Sequence, residues 1–276
     1  MKKLITRTIT GIVLVVVMLT AILASSYSYA ILFLIILIVS IHEFTNLFKE
    51  SEVQPNRWFS FLVSIILFIA TFLIAKGIVE LKYFLGILPF FLMIMAAELY
   101  RKKDKAVENI AVTIFSIIYL AIPISLINFL VFPEILSTGN TYTPKLLIAL
   151  FSLIWIHDSG AYLVGVSIGK HRLFERISPK KSWEGAIGGT LIAIAASYFI
   201  SGFIPEIKLI HWIAISVLTV VSSTFGDLTE SMFKRYFGIK DSGNILPGHG
   251  GVLDRFDSLF FAAPVFVMYL KLFIEK

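Results

Sequence analysis

The sequence predicts an all-α polytopic membrane protein of about nine transmembrane helices, with a cytoplasmic N-terminus and a C-terminus outside. Three observations predict it. First, 58% of the 276 residues are hydrophobic and only 15% are charged, where a soluble domain carries about 25% charged residues. Second, the apolar residues form continuous runs near the ~20 residues that a spanning helix requires, without the alternation of a transmembrane barrel. Third, lysine and arginine fall unevenly on the two sides that those runs define.

Nine runs stand out, at roughly 9–24, 28–48, 58–75, 81–97, 110–132, 145–168, 184–204, 208–226 and 258–274. The first follows Met1-Lys2-Lys3 and ends in "AILASS", in the manner of a signal peptide. It is read as a span, because eight more follow. With the N-terminus inside, the inner segments carry 18 of the 24 basic residues and the outer segments 6. That split satisfies the positive-inside rule. The net charge of +6 therefore reflects topology rather than nucleic-acid binding. There is no cysteine, which excludes a disulfide framework and a thiol nucleophile.

The chain divides near residue 140. Residues 1–140 supply about five spans and few special features. Residues 141–276 supply the rest, with two polar cytoplasmic stretches at 169–183 and 227–257. The outer loops are short or bland, so the chemistry is expected at the cytoplasmic face.

The polar residues of the second half need an explanation. Asp158, in "WIHDSGAY", lies 12 residues before Lys170, about 18 Å along a helix and thus near mid-membrane. Charge there costs at least ~2.5–3.5 kcal/mol, so Asp158 either pairs with a basic residue or faces a polar cavity. In "STFGDLTESMFKR", Asp227, Glu230 or Ser231, and Lys234 share one helix face, continuing the eighth span past its inner end. "ISPKKSWEG" has Ser178-Pro179, read as a helix entry, followed by Lys180, Lys181 and Glu184. The two lysines contact anionic headgroups or clamp phosphate oxygens.

The densest stretch is "KDSGNILPGHGGVLDRFDS", residues 240–258. "PGHGG" sets three glycines around His249, and glycine lets a ligand approach backbone amides. It is a phosphate cradle or a flexible turn. It is not a P-loop, since "GxxxxGK[ST]" is absent. Asp254 and Asp257 follow at i, i+3. Two carboxylates so close repel one another unless a cation joins them, and hard oxygen ligands with spare water positions suit Mg²⁺. Acids for metal, bases for polyphosphate and a glycine loop together read as phosphoryl or nucleotidyl transfer on a lipid.

The order Ser231, Lys234-Arg235, Lys240-Asp241-Ser242, Pro247, His249-Gly250-Gly251, Asp254-Arg255, Asp257 resembles the signature of the phosphatidate cytidylyltransferases, the CDP-diacylglycerol synthases. "DSGAYLVG" at 158–165 and "SPKKSWEGAIGG" at 178–189 also resemble that family, in the expected order. The resemblance covers the C-terminal half, and the N-terminal spans match only in character.

The resemblance implies condensation of CTP with phosphatidate in the bilayer, release of pyrophosphate and formation of CDP-diacylglycerol. It also implies dependence on Mg²⁺, with room for a second cation, and residence in the bacterial inner membrane or its eukaryotic counterpart. On that reading Asp227 and Asp254 hold Mg²⁺, with Asp257 beside them. Lys180, Lys181, Lys234 and Arg235 bind the triphosphate or the lipid headgroup. His249 and the amides of Gly248, Gly250 and Gly251 face the leaving group. Arg255 pairs with an acid. Ser178, Ser231, Lys240 and Asp241 belong to the substrate-binding set, and Asp158 and Glu184 line the polar cavity. The apolar faces between spans would suit a homodimer. Competing readings are a lipid kinase or another lipid phosphotransferase, and an ion-coupled transporter, to which an intramembrane Asp158 would also be suited.

Overall fold

The computed structural model describes residues 2–136 and 141–275. It is built from α-helices with one small hairpin, and it divides into two compact units. Eight helical segments are long and apolar enough to cross a membrane, and the apolar part of the first helix, Thr8–Ala24, is shorter. The chain is thus a polytopic membrane protein, with eight such helices and the shorter first one among the described residues, about nine in all.

The first unit comprises residues 2–132, 141–142 and 241–255. Its helices are α1 (Lys2–Ala24), α2 (Ser26–Asn46), α3 (Arg57–Ala75), α4 (Leu88–Arg101), α5 (Ala106–Ser116), α6 (Ile122–Leu126) and α7 (Asn128–Val131). Ser25 and Asn56 cap α2 and α3 through their side chains, as short polar residues do at helix starts. A 3₁₀ segment, Leu81–Ile87, leads into α4, and a π-helical turn, Ile117–Ala121, joins α5 to α6. The core is Tyr29, Phe33, Leu37, Ile41, Val63 and Leu120, all fully buried. Asn128 links polar groups inside it, which a bilayer offers no water to satisfy. Asn128 accepts from the Tyr29 hydroxyl at 2.9 Å and donates to Thr71 Oγ1 at 2.9 Å. Where α2 begins and α3 ends, Lys76 donates to the Tyr27 hydroxyl at 2.9 Å, an aromatic and basic pair suited to a membrane–water boundary.

The second unit comprises residues 133–136, 143–240 and 256–275. It holds α8 (Lys145–Ile168), strands β1 (Arg172–Phe174) and β2 (Ser178–Ser182), α9 (Trp183–Phe203), α10 (Leu209–Tyr236) and all of α11 (Leu253–Phe273) beyond Arg255. Helices α8 and α9 pack backbone to backbone. A Cβ on Gly189 would stand 2.7 Å from the His157 carbonyl and 2.8 Å from the Ala161 nitrogen, the small-residue packing characteristic of membrane helices. Large apolar side chains such as Tyr162, Leu163, Leu191 and Phe199 point outward, the pattern of a lipid-facing surface.

The structure corrects one local expectation. Ser178-Pro179 does not open a helix; it opens β2, which pairs antiparallel with β1 through Phe174↔Ser178 and Arg172↔Ser182. The proline disfavours α geometry at the residue before it. The cap falls instead to Ser182, whose hydroxyl accepts from the Gly185 amide at 3.2 Å. The last helix also starts earlier than its apolar run, at Leu253, so Asp254 and Asp257 are helical.

Candidate functional site

The predicted residues fall into two polar clusters, one in each unit. In the second unit, α10 and α11 meet where α10 has Gly226. A Cβ there would lie 2.6 Å from the Asp257 carbonyl oxygen and 3.2 Å from Ser258 Cα. This approach of backbones sets Asp227, the next residue of α10, beside Asp257. Lys181 reaches in from β2, and its Nζ stands 2.6 Å from Asp227 Oδ2. Ser231 donates to Asp227 Oδ1 at 3.2 Å, one turn along the predicted face. Asp257 Oδ1 accepts from the Ser258 amide at 2.6 Å.

Asp158 lies within Coulombic reach of Lys181 and Asp227, and Asp257 within that of Asp227, Lys181 and Lys234. The Lys181 ammonium thus contacts Asp227 and acts on Asp158 and Asp257 at longer range. Asp158 is exposed on α8. Lys234 is held by a buried ion pair with Glu230.

Other predicted residues are held differently. Glu184, in the first turn of α9, accepts from the Lys170 amide at 3.1 Å and the His171 amide at 3.2 Å, and pairs with His171 Nδ1 at 2.6 Å. It fastens the turn between α8 and β1. Lys170, His171, Arg172, Glu175, Trp183 and Glu184 line an open pocket there. Arg235 donates to the carbonyls of Ile177 and Ile239, at 3.4 and 3.2 Å, tying the hairpin turn to the chain after α10. Successive strand residues point to opposite faces, so Lys180 does not join Lys181 on Asp227; it is exposed, as is Lys240, while Ser178 is half-buried.

In the first unit, residues 246–250 form a tight turn closed by Leu246 N–Gly250 O at 3.0 Å and His249 N–Leu246 O at 2.9 Å. Gly248 and Gly250 have φ of 77° and 82°, the left-handed region that glycine adopts without steric cost. Helix α1 borders this turn: Thr10 donates to the Pro247 carbonyl at 3.0 Å, and Gly11 faces the His249 ring. Asp254 is buried, and its Oδ2 accepts from the amides of Gly251 and Ser242, at 2.7 and 2.9 Å, and from the Ser242 hydroxyl at 3.0 Å. Asp241 and Arg255 are exposed.

A second carboxylate joins this cluster that the sequence reading did not single out. Glu43, near the end of α2, accepts from the Val252 amide at 3.1 Å and the Leu253 amide at 2.8 Å. It is the single acidic residue in the run 28–48, and an acid inside an apolar span was the signal that could have found it.

Among the described residues, no three His, Cys, Asp or Glu side chains converge to hold a metal ion. Asp227 and Asp257 offer hard oxygen donors side by side, and a cationic group, the Lys181 ammonium, already stands on Asp227. The pair is compatible with Mg²⁺, which is bound through one or two carboxylates plus water and substrate phosphates.

A helical membrane protein with carboxylates grouped around a lysine, and a glycine turn locked by a buried acid, has the chemistry of an enzyme acting on phosphates. Comparison with known proteins agrees. Residues 5–273 match the model of the cytidylyltransferase family. The phosphatidate cytidylyltransferase of Staphylococcus aureus is 32% identical over 265 residues, 94% of this chain and 96% of that protein. The Staphylococcus epidermidis protein of the same name is 32% identical over 262 residues, again 94% and 96%. The Haemophilus influenzae phosphatidate cytidylyltransferase is 48% identical over 126 residues, 44% of each chain. The chain belongs to the cytidylyltransferase family.

Proposed function

We propose that this protein transfers CMP from CTP to phosphatidate at the cytoplasmic face of a bacterial inner membrane, giving CDP-diacylglycerol and pyrophosphate. The observation that carries the reading is the cluster of Asp158, Asp227 and Asp257 around Lys181, at motif residues of a chain that belongs to the cytidylyltransferase family. The 18 to 6 distribution of basic residues supports the cytoplasmic face.

The phosphate of phosphatidate is a nucleophile at neutral pH. Its oxygen attacks the α-phosphorus of CTP, and the bond from that phosphorus to the pyrophosphate oxygen breaks. No strong base is required, and catalysis is positioning and charge stabilisation. Lys181 and Lys234 neutralise phosphate oxygens. Asp227 and Asp257 hold Mg²⁺, which supplies charge neutralisation on the phosphates. Ser231 fixes the orientation of the Asp227 carboxylate. The 247–251 turn, with His249 and its amides, stabilises the leaving pyrophosphate. Asp254, with its Oδ2 occupied by three donors, serves that turn rather than the cation.

The test is product formation by the purified protein in detergent with phosphatidate and either CTP or ATP, with and without Mg²⁺. Pyrophosphate release that requires phosphatidate, CTP and Mg²⁺ together is expected. Pyrophosphate release with ATP and not CTP would assign adenylyl transfer and overturn the reading.

A further inference from the structure

We infer that Glu43 is a positioning residue for this reaction: from the last turn of α2 its carboxylate holds the 242–253 segment in place and caps the start of α11. The inference rests on the proposed cytidylyl transfer for its catalytic consequence, but not for its geometry.

The argument begins with a carboxylate in the wrong place. Glu43 is 2% exposed, inside an apolar span and three residues before the end of its helix. Burial of a charge is costly, and the C-terminus of a helix repels an anion. Its own helix therefore gives no reason for an acid. The reason lies about 210 positions further on. The N-terminus of α11 attracts an anion, and its cap residue, Val252, has no side-chain oxygen to satisfy the first amides. Glu43 takes that part in trans, accepting from Val252 N and Leu253 N, with the Ser242 hydroxyl 3.4 Å from Oε2.

The glycines around it fit the same account. A Cβ on Gly251 would collide with Glu43 Oε2 and Ser242 Oγ, and one on Gly243 would collide with Glu43 Oε1. The segment closes on the carboxylate because both positions lack a side chain. From the other side Asp254 holds Ser242 and Gly251, so the segment is gripped by two buried acids. Asp257 follows four residues after Leu253 in the same helix. A group that fixes the start of α11 and the end of the glycine turn acts on catalysis through them, without touching substrate.

The test uses Glu43→Gln, which keeps the shape but turns an amide N–H toward a backbone N–H donor. Its kcat for CMP transfer is expected to fall about 10- to 100-fold, the usual effect of a residue that orients others, with KM for CTP little changed. The second readout needs no activity. The chain has no cysteine, so Val252→Cys places a single thiol at a side chain that is 9% exposed. Its maleimide labelling is expected to be slow in the parent and about tenfold faster with Glu43→Gln. Labelling unchanged by Glu43→Gln overturns the inference, whatever happens to kcat. Faster labelling with unchanged kcat overturns the catalytic half. If Val252→Cys protein with Glu43 intact makes no CDP-diacylglycerol although the unmodified chain does, kcat is compared without the thiol. If the unmodified chain itself makes none, cytidylyl transfer falls and labelling alone decides whether Glu43 holds the segment. Should Glu43→Gln not accumulate, Ser242→Ala removes the single hydroxyl that lies between the two acids and is expected to raise labelling by a smaller factor.

Discussion

Gly226 of α10 and Asp257 of α11 are in backbone contact, so close that a Cβ on the glycine would stand 2.6 Å from the Asp257 carbonyl oxygen. The partner atom is main chain and cannot rotate away. Gly226→Ala is therefore expected to push the two helices apart, at a cost of about 1–3 kcal/mol from overpacking. Thermal unfolding in detergent checks the loss, and CMP transfer should fall with it, because Asp227 and Asp257 separate.

Lys181 occupies the position on Asp227 that a metal cation would share. Lys181→Gln should lower kcat about 100-fold or more, the scale of losing one group that stabilises transition-state charge. The same change leaves Asp158, Asp227 and Asp257 without their ammonium. The Mg²⁺ concentration that gives half-maximal activity should therefore go down, not up. A titration of residual activity against Mg²⁺ measures this, and an increase would contradict the role given to Lys181.

Asp254 and Asp257 are three residues apart and should fail differently. Asp257→Asn is expected to raise the Mg²⁺ requirement strongly while leaving unfolding unchanged. Asp254→Asn places an amide against the Gly251 and Ser242 donors and should destabilise the protein by ~1–3 kcal/mol, with the Mg²⁺ requirement of the remaining activity unchanged. Parallel Mg²⁺ titrations and unfolding curves separate the two.

Orientation is checked by labelling single cysteines in the cysteine-free chain. Glu175 is exposed in the hairpin and Ile78 is exposed after α3. Glu175→Cys should react with a membrane-impermeant maleimide only in inside-out vesicles, and Ile78→Cys only in right-side-out ones. The reverse pattern would place the chemistry outside.

The spans were legible because twenty apolar residues in a row have few other uses, and Asp227, Ser231 and Lys234 were legible because helical spacing is rigid. The hairpin was not. Its strands are three and five residues long, too short for a periodic signal, and Ser178-Pro179 reads equally as a helix start. Spacing placed Asp254 and Asp257 on one face and suggested a shared cation. It could not show that backbone amides from 242 and 251 converge on Asp254. Glu184 was expected at a cavity and does line an open pocket, but the Lys170 and His171 amides that hold it carry no sequence signature. Glu43 was hidden because its partners lie about 210 residues away.

That last separation has a consequence for biogenesis. Amides of residues 252 and 253 must find a carboxylate made some 210 residues earlier, and contacts of such long range form late. A ribosome has therefore delivered residues 252 and 253 before the glycine turn can be locked. Until then Glu43 is an uncompensated acid at the end of a newly inserted helix, and the nascent chain has no assembled turn. A product truncated before the final helix would sit in the membrane with most of its spans and its Lys181–Asp227 pair, and would lack the partner amides for Glu43. The order of synthesis thus makes delivery of residues 242–253 a condition for locking that turn.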